Sequence, residues 1–177
     1  PGAPALVERV DGLLRAAGFH PQHDSRRGFD HGTFVPLKLA YPAPTIPTLQ
    51  LSLKAGLDPA EHLALGRALA PLRDEGVFIV GSGMTFHNMR GFGRPEARAA
   101  SVDFDTWLRA TTQAPRPARE RALTEWQKAP AARFCHPREE HLLPLMVCVG
   151  AAGEDPGSVP YADSYTGVAL SAHHFGA

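Results

Sequence analysis

Val77-Phe78-Ile79-Val80 is a run of apolar residues that leads directly into Gly81-Ser82-Gly83. A continuous apolar run of this kind predicts a strand buried on both faces, because a strand with one solvated face would alternate apolar and polar residues. In open α/β sheets, ligand sites collect beyond the ends of such strands. Small residues at that end let a ligand approach the backbone closely. Residues 81–83 are therefore the first candidate for part of a functional site.

The sequence on either side of this run alternates between helical and strand patterns. Apolar residues recur at helical spacing, or fill a buried helix, in the segments 4–17, 32–40, 59–75, 96–113, 117–129 and 139–150. Strand patterns occur over residues 46–53 and 165–175. The alternation predicts an α/β fold with a central, mostly buried, mixed sheet flanked by helices. We expect a single domain over residues 1–177.

Composition argues against several classes of partner. Lys plus Arg and Asp plus Glu number 18 each, so the formal net charge is zero and no nucleic-acid-binding surface is indicated. No stretch approaches the ~18 uninterrupted apolar residues of a membrane span, so no membrane association is expected. Two cysteines without CxxC spacing, and no visible signal peptide, favour a reduced, cytoplasmic protein. The chain opens with Pro1 rather than Met, which we interpret as a domain entered partway through.

Four of the nine histidines, in three sequence contexts, favour a functional role. His31 lies in Gly28-Phe29-Asp30-His31-Gly32, where the glycines allow a sharp bend that exposes the ring. His87 follows the Gly-Ser-Gly turn within a few residues. His136 and His141 bring two imidazoles and two carboxylates to the start of an apolar helix. Taken singly, each has a simpler explanation, such as a surface loop or a tight turn, and the last is no HExxH zinc motif.

The remaining histidines favour structural or solvated positions. We expect His62, in an amphipathic helix beside Glu61, to be a surface residue. His20 and His23 lie in a polar loop and are expected to be solvated rather than ligating. His173 and His174 are adjacent in a strand, so their side chains should point to opposite faces.

The three motifs together resemble one family. The first covers residues 30–37, Asp-His-Gly-Thr-Phe-Val-Pro-Leu, with Tyr41-Pro42 and residues 46–52 behind it. The second joins Gly81-Ser82-Gly83 to His87-Asn88-Met89-Arg90. The third is His-Pro-Arg-Glu-Glu-His-Leu-Leu-Pro-Leu at residues 136–145. In order and spacing these resemble the class III extradiol ring-cleavage dioxygenases of the DOPA dioxygenase type, over about residues 1–172.

The resemblance implies a non-haem enzyme that holds one Fe(II) or Zn(II) ion and cleaves a small catechol with dioxygen. It implies that His141 is a metal ligand, and that His87 is the acid/base residue or a further metal ligand. We favour the acid/base role for His87. His31 is implied as a catalytic and substrate-pocket residue, and Glu140 or Glu139 as the group that orients His141.

Further substrate contacts are expected from His136, Asn88 and Arg90. Arg90 could reach a carboxylate on the substrate, while Asn88 could also brace the neighbouring backbone through its amide. We expect His31, His87 and His141 to converge on one pocket.

The chain departs from the family in one respect. Members bind the metal through two N-terminal histidines, in His-Gly-x-Pro and Ser-x-His segments, and neither segment occurs in this sequence. The matching region therefore corresponds to the C-terminal part of a catalytic domain, and we expect the chain alone to be inactive. A homodimer or a partner chain could supply the ligands. Two alternatives stay open: a non-catalytic subunit or remnant of the same fold, and a metal-dependent hydrolase on a related scaffold.

Overall fold

The computed structural model describes residues 1–176. Helices precede a terminal hairpin in the order α1 (Pro4–Ala16), α2 (His31–Ala40), α3 (Pro59–Leu69), α4 (Pro71–Asp74), α5 (Pro95–Gln113), α6 (Arg116–Thr124), a 3-10 turn (Trp126–Lys128), α7 (Ala132–Cys135), α8 (Leu143–Ala152), β1 (Gly157–Tyr165) and β2 (Val168–Phe175). Each segment with a predicted helical pattern contains a helix. The last one begins at Leu143 rather than at residue 139, because residues 137–142 form bends and turns.

Local sequence explains where the helices near the site begin. The Asp30 carboxylate accepts a hydrogen bond from the Thr33 amide at the start of α2, and Asp58 accepts one from Glu61 at the start of α3. Such caps satisfy amide groups that have no partner within the helix. Proline in the first turn of α3, α5 and α8 costs no hydrogen bond, because those amides have no helical acceptor.

Two glycines set the packing of α3 against α8. A Cβ atom on Gly66 would lie 2.0 Å from the Val147 carbonyl oxygen, and one on Gly150 would lie 2.1 Å from the Leu63 carbonyl oxygen. The two helices therefore meet backbone against backbone. Around them lie two apolar clusters, a main core that includes Phe104 and a second core that joins α1 to α3 and α4.

The α/β class is confirmed, but the sheet differs from the predicted central, mixed one. Within residues 1–176 the sheet consists of β1 and β2 paired antiparallel, so the predicted strand at 165–175 is one arm of a hairpin. The strand predicted over residues 46–53 does not form; this segment pairs only through a single bridge between Thr48 and Gly2. No helix in the described part of the chain is long and apolar enough to cross a membrane.

The prediction that residues 77–80 are buried on both faces is wrong. Val77 and Ile79 pack against the second core, whereas Phe78 is 76% exposed and Val80 is 56% exposed. The segment is neither helix nor strand in the structure, and its side chains alternate between partly buried and exposed. The apolar composition predicted that both faces are buried, but no described residue packs over Phe78 and Val80.

The prediction that His62 is a surface residue is also wrong. Its ring is fully buried, its Nδ1 donates to the Asp58 carbonyl at 2.6 Å, and its Nε2 accepts from the Lys54 amide at 3.2 Å. The ring thereby connects the first turn of α3 to the loop before it. The helical pattern indicated an amphipathic helix, but it could not show that this loop covers the residue.

Candidate metal centre and active site

The segment Gly81-Ser82-Gly83 reaches the site because it has almost no side chains. A Cβ atom on Gly81 would lie 2.6 Å from the Pro144 carbonyl oxygen, and one on Gly83 would lie 2.1 Å from the His141 carbonyl oxygen. This close approach lets the Met84 amide donate to the His141 carbonyl at 3.1 Å. The segment is therefore fixed directly against the backbone that carries His141.

Residues after the turn are held by the loop before His141. The His87 amide donates to the Cys135 carbonyl at 2.9 Å. The Asn88 side chain donates to the Phe134 carbonyl at 2.8 Å and accepts from the Arg90 amide at 3.1 Å. Both ends of the Asn88 amide group are thus used by backbone, as expected for a bracing residue. These contacts leave Asn88 less suited to binding substrate.

The result is a compact cluster of His87, Glu140 and His141. The two imidazole rings stack with their centroids 3.4 Å apart and their planes 21° from parallel. One Glu140 oxygen, Oε1, lies 3.4 Å from Nδ1 of His141 and 3.6 Å from Nδ1 of His87. One potential donor atom from each of the three residues lies within 4.8 Å of the others. The spacing suits a shared ion.

Burial and neighbouring charges tune this cluster. Burial lowers the pKa of His87, and the adjacent His141 lowers it further, while Glu140 acts in the opposite direction. Burial alone would raise the pKa of Glu140, but hydrogen bonds from its own backbone amide and from His141 bring it below its usual value. At neutral pH the cluster therefore combines an ionised carboxylate with an uncharged His87 ring, which is a suitable set of acceptors for a cation.

His136 does not reach the surface of the site. Its ring is fully buried, packs against Phe104 and Trp126, and its Nε2 donates to the Thr85 carbonyl at 3.0 Å. Burial lowers the pKa of His136 to about 4, so the ring is neutral. This position does not fit the predicted substrate contact. The ring instead ties the segment before His87 to the loop before His141.

His31 and Arg90 lie at the periphery. His31 is exposed and begins α2, and a Cβ atom on its neighbour Gly32 would lie 3.6 Å from Ser82 Oγ. Within residues 1–176, no hydrogen bond, ion pair or ring stack joins His31 to His87 or His141. The structure therefore brings two of the three predicted histidines together and leaves the third beside the turn. Arg90 is exposed and makes no ion pair with any described residue.

The sequence did not predict that Glu140, rather than Glu139, contacts both histidines of the cluster. The sequence interpretation treated Glu140 and Glu139 as equivalent, but Glu139 pairs with Arg133 at 2.7 Å and is held away from the cluster. Glu140 contacts both imidazoles, and its second oxygen, Oε2, is buried without a hydrogen-bond partner within residues 1–176. Adjacent residues in a turn point in different directions, and the sequence alone does not reveal which one points inward.

Several known proteins resemble this chain over most of its length. A family model described as the catalytic LigB subunit of aromatic ring-opening dioxygenase matches residues 1–173. The protein named 4,5-DOPA dioxygenase extradiol from Beta vulgaris is 41% identical over 97% of this chain and 64% of its own length. The protein of the same name from Escherichia coli K12 is 34% identical over 90% of this chain and 60% of its own length. Dioxygenase tasH of Hapsidospora irregularis is 36% identical over 99% of this chain and 58% of its own length.

A solved structure also resembles this chain in its fold. The crystal structure of an uncharacterized protein from Escherichia coli K12 superposes with a TM-score of 0.79 and 31% sequence identity, covering 98% of this chain and 72% of that chain. This chain spans less than two thirds of the length of the three named relatives. Because the family model covers nearly all of its residues and includes His87, Glu140 and His141, the chain belongs to the family of LigB-type catalytic subunits of aromatic ring-opening dioxygenases.

Proposed function

We propose that this chain takes part in the extradiol cleavage of a small, DOPA-like catechol by dioxygen, with one Fe(II) or Zn(II) ion as cofactor. The observation that carries the proposal is the stacked pair of His87 and His141 around the Glu140 carboxylate. Relatives named as extradiol dioxygenases that act on 4,5-DOPA support the choice of substrate class.

The residues present fit such an ion. Imidazole nitrogens and a carboxylate are donors that suit non-haem iron and zinc alike. The buried Glu140 Oε2 atom has no hydrogen-bond partner within residues 1–176, although Arg138 Nε lies 3.6 Å from it, so it retains capacity to accept a cation. His141 would bind the ion, and Glu140 would orient His141 or bind beside it. Ligating imidazoles commonly depend on a neighbouring carboxylate for orientation.

The side chains around the cluster have separate tasks in this proposal. When bound, the ion would hold the diol next to dioxygen and favour loss of the diol protons. His87 accepts a proton from a substrate hydroxyl, for which its uncharged ring is suited. Arg90, an exposed cation without an ion-pair partner in the described chain, is available for a substrate carboxylate. His31 precedes Gly32, which lies beside Ser82, and would contact the substrate from that side.

Two substitutions separate the ligand from the proton carrier. In the assembled enzyme, His141→Ala should abolish stoichiometric metal, whereas His87→Gln should keep the metal and lower turnover by ~10²–10⁴-fold, the usual contribution of general acid–base catalysis. Metal content is measured by elemental analysis and turnover with an oxygen electrode. Parallel loss of metal and activity in His87→Gln would make His87 a ligand instead. Unchanged metal in His141→Ala would refute the proposed centre.

The alternative is a non-catalytic subunit of the same fold. The observation that favours it is the limited share, 58–64%, of the relatives' length that this chain spans. An assembled protein that binds the ion through His141 but consumes no oxygen with any catechol would decide for this alternative.

A further inference from the structure

Two irregular stretches of backbone carry the cluster and run in opposite directions. Four hydrogen bonds join them in antiparallel order, from Met84 to His141, Thr85 to His136, His87 to Cys135 and Asn88 to Phe134. Residues 137–140 lie between the first two of these bonds, which therefore close the base of the turn that carries Glu140. The bond between Thr85 and His136 thus lies next to both halves of the cluster.

This bond is made by an imidazole where a backbone amide would be expected. In a regular antiparallel pair, a backbone amide would donate to the Thr85 carbonyl. The His136 amide is already used, because it donates to the Ala132 carbonyl at 2.8 Å and completes α7. The His136 ring takes its place, with Nε2 donating to Thr85 at 3.0 Å. Since a carbonyl can only accept, Nε2 carries the proton and Nδ1 is an acceptor.

The position of the His136 ring is unfavourable for stability. The ring is fully buried, its centroid lies 5.2 Å from that of Phe104 and 6.0 Å from that of Trp126, and its Nδ1 atom has no hydrogen-bond partner within residues 1–176. An unpaired buried polar atom destabilises the folded state, whereas an apolar side chain would fill the same space without this cost. Packing therefore does not explain the ring, but the bond from its Nε2 atom does.

Thr85 is also held by the sheet. Its Oγ1 accepts a hydrogen bond from the Ser171 amide of β2 at 3.1 Å. Two residues later the His87 amide is bonded to backbone, and Phe86 between them is fully buried. The backbone of residues 85–87 is thus restrained at each position. Because a fixed backbone allows a side chain few rotamers, this restraint limits the directions that the His87 ring can take.

We propose that His136 is a positioning residue for His87. Its hydrogen bond to the Thr85 carbonyl fixes the backbone of residues 85–87 and so keeps the His87 ring stacked on His141. His136 itself touches neither substrate nor ion. The geometric part of the proposal is independent of the reaction, whereas its effect on turnover rests on the proposed function, in which His87 carries a proton.

Two amide substitutions separate the hydrogen bond from its polar surroundings. In His136→Gln the side-chain nitrogen lies the same number of covalent bonds from Cα as Nε2 of the imidazole, so it can donate to the Thr85 carbonyl. In His136→Asn the side chain is one bond shorter, and its nitrogen reaches only the position of Nδ1. Both variants bring one primary amide into the same apolar space, so they are matched in polarity.

An apolar substitution keeps the test valid if His136→Asn does not fold. His136→Leu removes the donor, but it also removes the unpaired Nδ1 atom. The Thr85 carbonyl is then unpaired instead, so the number of unpaired buried polar groups stays the same and the variant should fold. His62→Leu is the matched control, because it removes another fully buried, hydrogen-bonded imidazole, in α3. Circular dichroism confirms that each variant is folded.

The first measurement reports geometry and uses the metal-free 177-residue chain. With isotope-labelled histidine, nuclear Overhauser contacts between the rings of His87 and His141 report the stack seen in the structure. We expect these contacts in the wild type, in His136→Gln and in His62→Leu. They should be lost in His136→Asn and in His136→Leu, because the tether of residues 85–87 is then absent.

The second measurement is kinetic and uses the assembled enzyme. His136→Asn and His136→Leu should lower kcat by about 10- to 100-fold, as is typical when a group that orients a site residue is lost, with KM and metal content near those of the wild type. His136→Gln should recover most of the activity. A general loss of folded protein would lower metal content together with kcat, so this split identifies a positioning effect.

The ring contacts decide the proposal. It is overturned if the wild type shows none, or if they persist in both His136→Asn and His136→Leu. Equal loss in His136→Gln or in His62→Leu also overturns it, because any disturbance of the core would then have the same effect. If the contacts depend on His136 as expected but the assembled wild type consumes no oxygen, the proposed function fails and the positioning role of His136 stands.

Discussion

Replacing Gly83 with Ala tests how the site is held together. The new Cβ atom would lie 2.1 Å from the His141 carbonyl oxygen and 3.1 Å from its carbon. Both partners are backbone, so neither can rotate away, and the two segments must separate by roughly 1 Å to restore van der Waals contact. The separation also stretches the hydrogen bond from the Met84 amide to the His141 carbonyl.

The expected cost follows from these two effects. Overpacking typically costs about 1–3 kcal/mol, and a weakened hydrogen bond adds about 0.5–1.5 kcal/mol. We therefore expect Gly83→Ala to lower the free energy of unfolding by about 2–4 kcal/mol. Because the displaced carbonyl belongs to His141, Co(II) affinity in the assembled protein should also fall, on the order of the 10–100-fold seen when groups that orient a ligand are lost.

Two control variants separate stability from site geometry. Gly157→Ala, in β1, meets the Thr112 carbonyl oxygen at 2.2 Å and should lose comparable stability while keeping Co(II) affinity. Gly12→Ala, inside α1 with nothing within 4 Å, should be neutral or stabilising by about 0.5–1 kcal/mol. Urea unfolding and Co(II) titration provide the two measurements. The reasoning fails if Gly83→Ala unfolds at the wild-type urea concentration and binds Co(II) with unchanged affinity.

Two further predictions concern acid stability and activity. Burial lowers the pKa of His173 to about 4, with Asp105 opposing and Arg109 adding to the shift. The unfolded chain therefore takes up a proton that the folded chain refuses, so stability is full above the unfolded pKa of about 6.5 and falls by up to ~3 kcal/mol as the pH drops towards 4. His136 contributes a similar loss of stability in acid, because burial also lowers its pKa to about 4. His173→Gln should therefore remove only the share that His173 causes. An unchanged pH profile of the urea midpoint would contradict this prediction. The 177-residue chain alone should consume no oxygen with DOPA or protocatechuate. Within the described residues, His87, Glu140 and His141 would have to provide all the metal ligands and also the proton carrier, which is too few groups for both tasks. Sustained uptake in an oxygen electrode would disprove this.

The helices could be predicted from sequence because their signals are local. Asp30 and Asp58 cap the helices they precede, and the prolines lie in first turns, so the residues that define each helix start are adjacent to it. The sheet could not be predicted in the same way. Whether Phe78 is buried depends on what packs over it, and an apolar run contains no information about that.

The site was predicted in part. We expected His87 to meet His141 because both lie in Gly- or Pro-marked loops beside core elements, and the glycines at 81 and 83 explain the contact physically. The inward position of Glu140 and the buried position of His136 did not follow, since both depend on the direction of side chains in an irregular loop. The resemblance identified the motifs, but it did not show which side chain in each motif faces the cluster.

The contact between Gly66 and Gly150 has a consequence for how this family can vary. Two backbones in direct contact fix a distance that does not depend on any rotamer, so α3 acts as a rigid reference for α8. Leu143, the first residue of α8, follows His141 by two positions. Apolar residues elsewhere in the core can therefore be exchanged over evolutionary time without displacing His141. A survey of variants should find wide tolerance among the large apolar residues and almost none at these two glycines, although neither takes part in any chemistry.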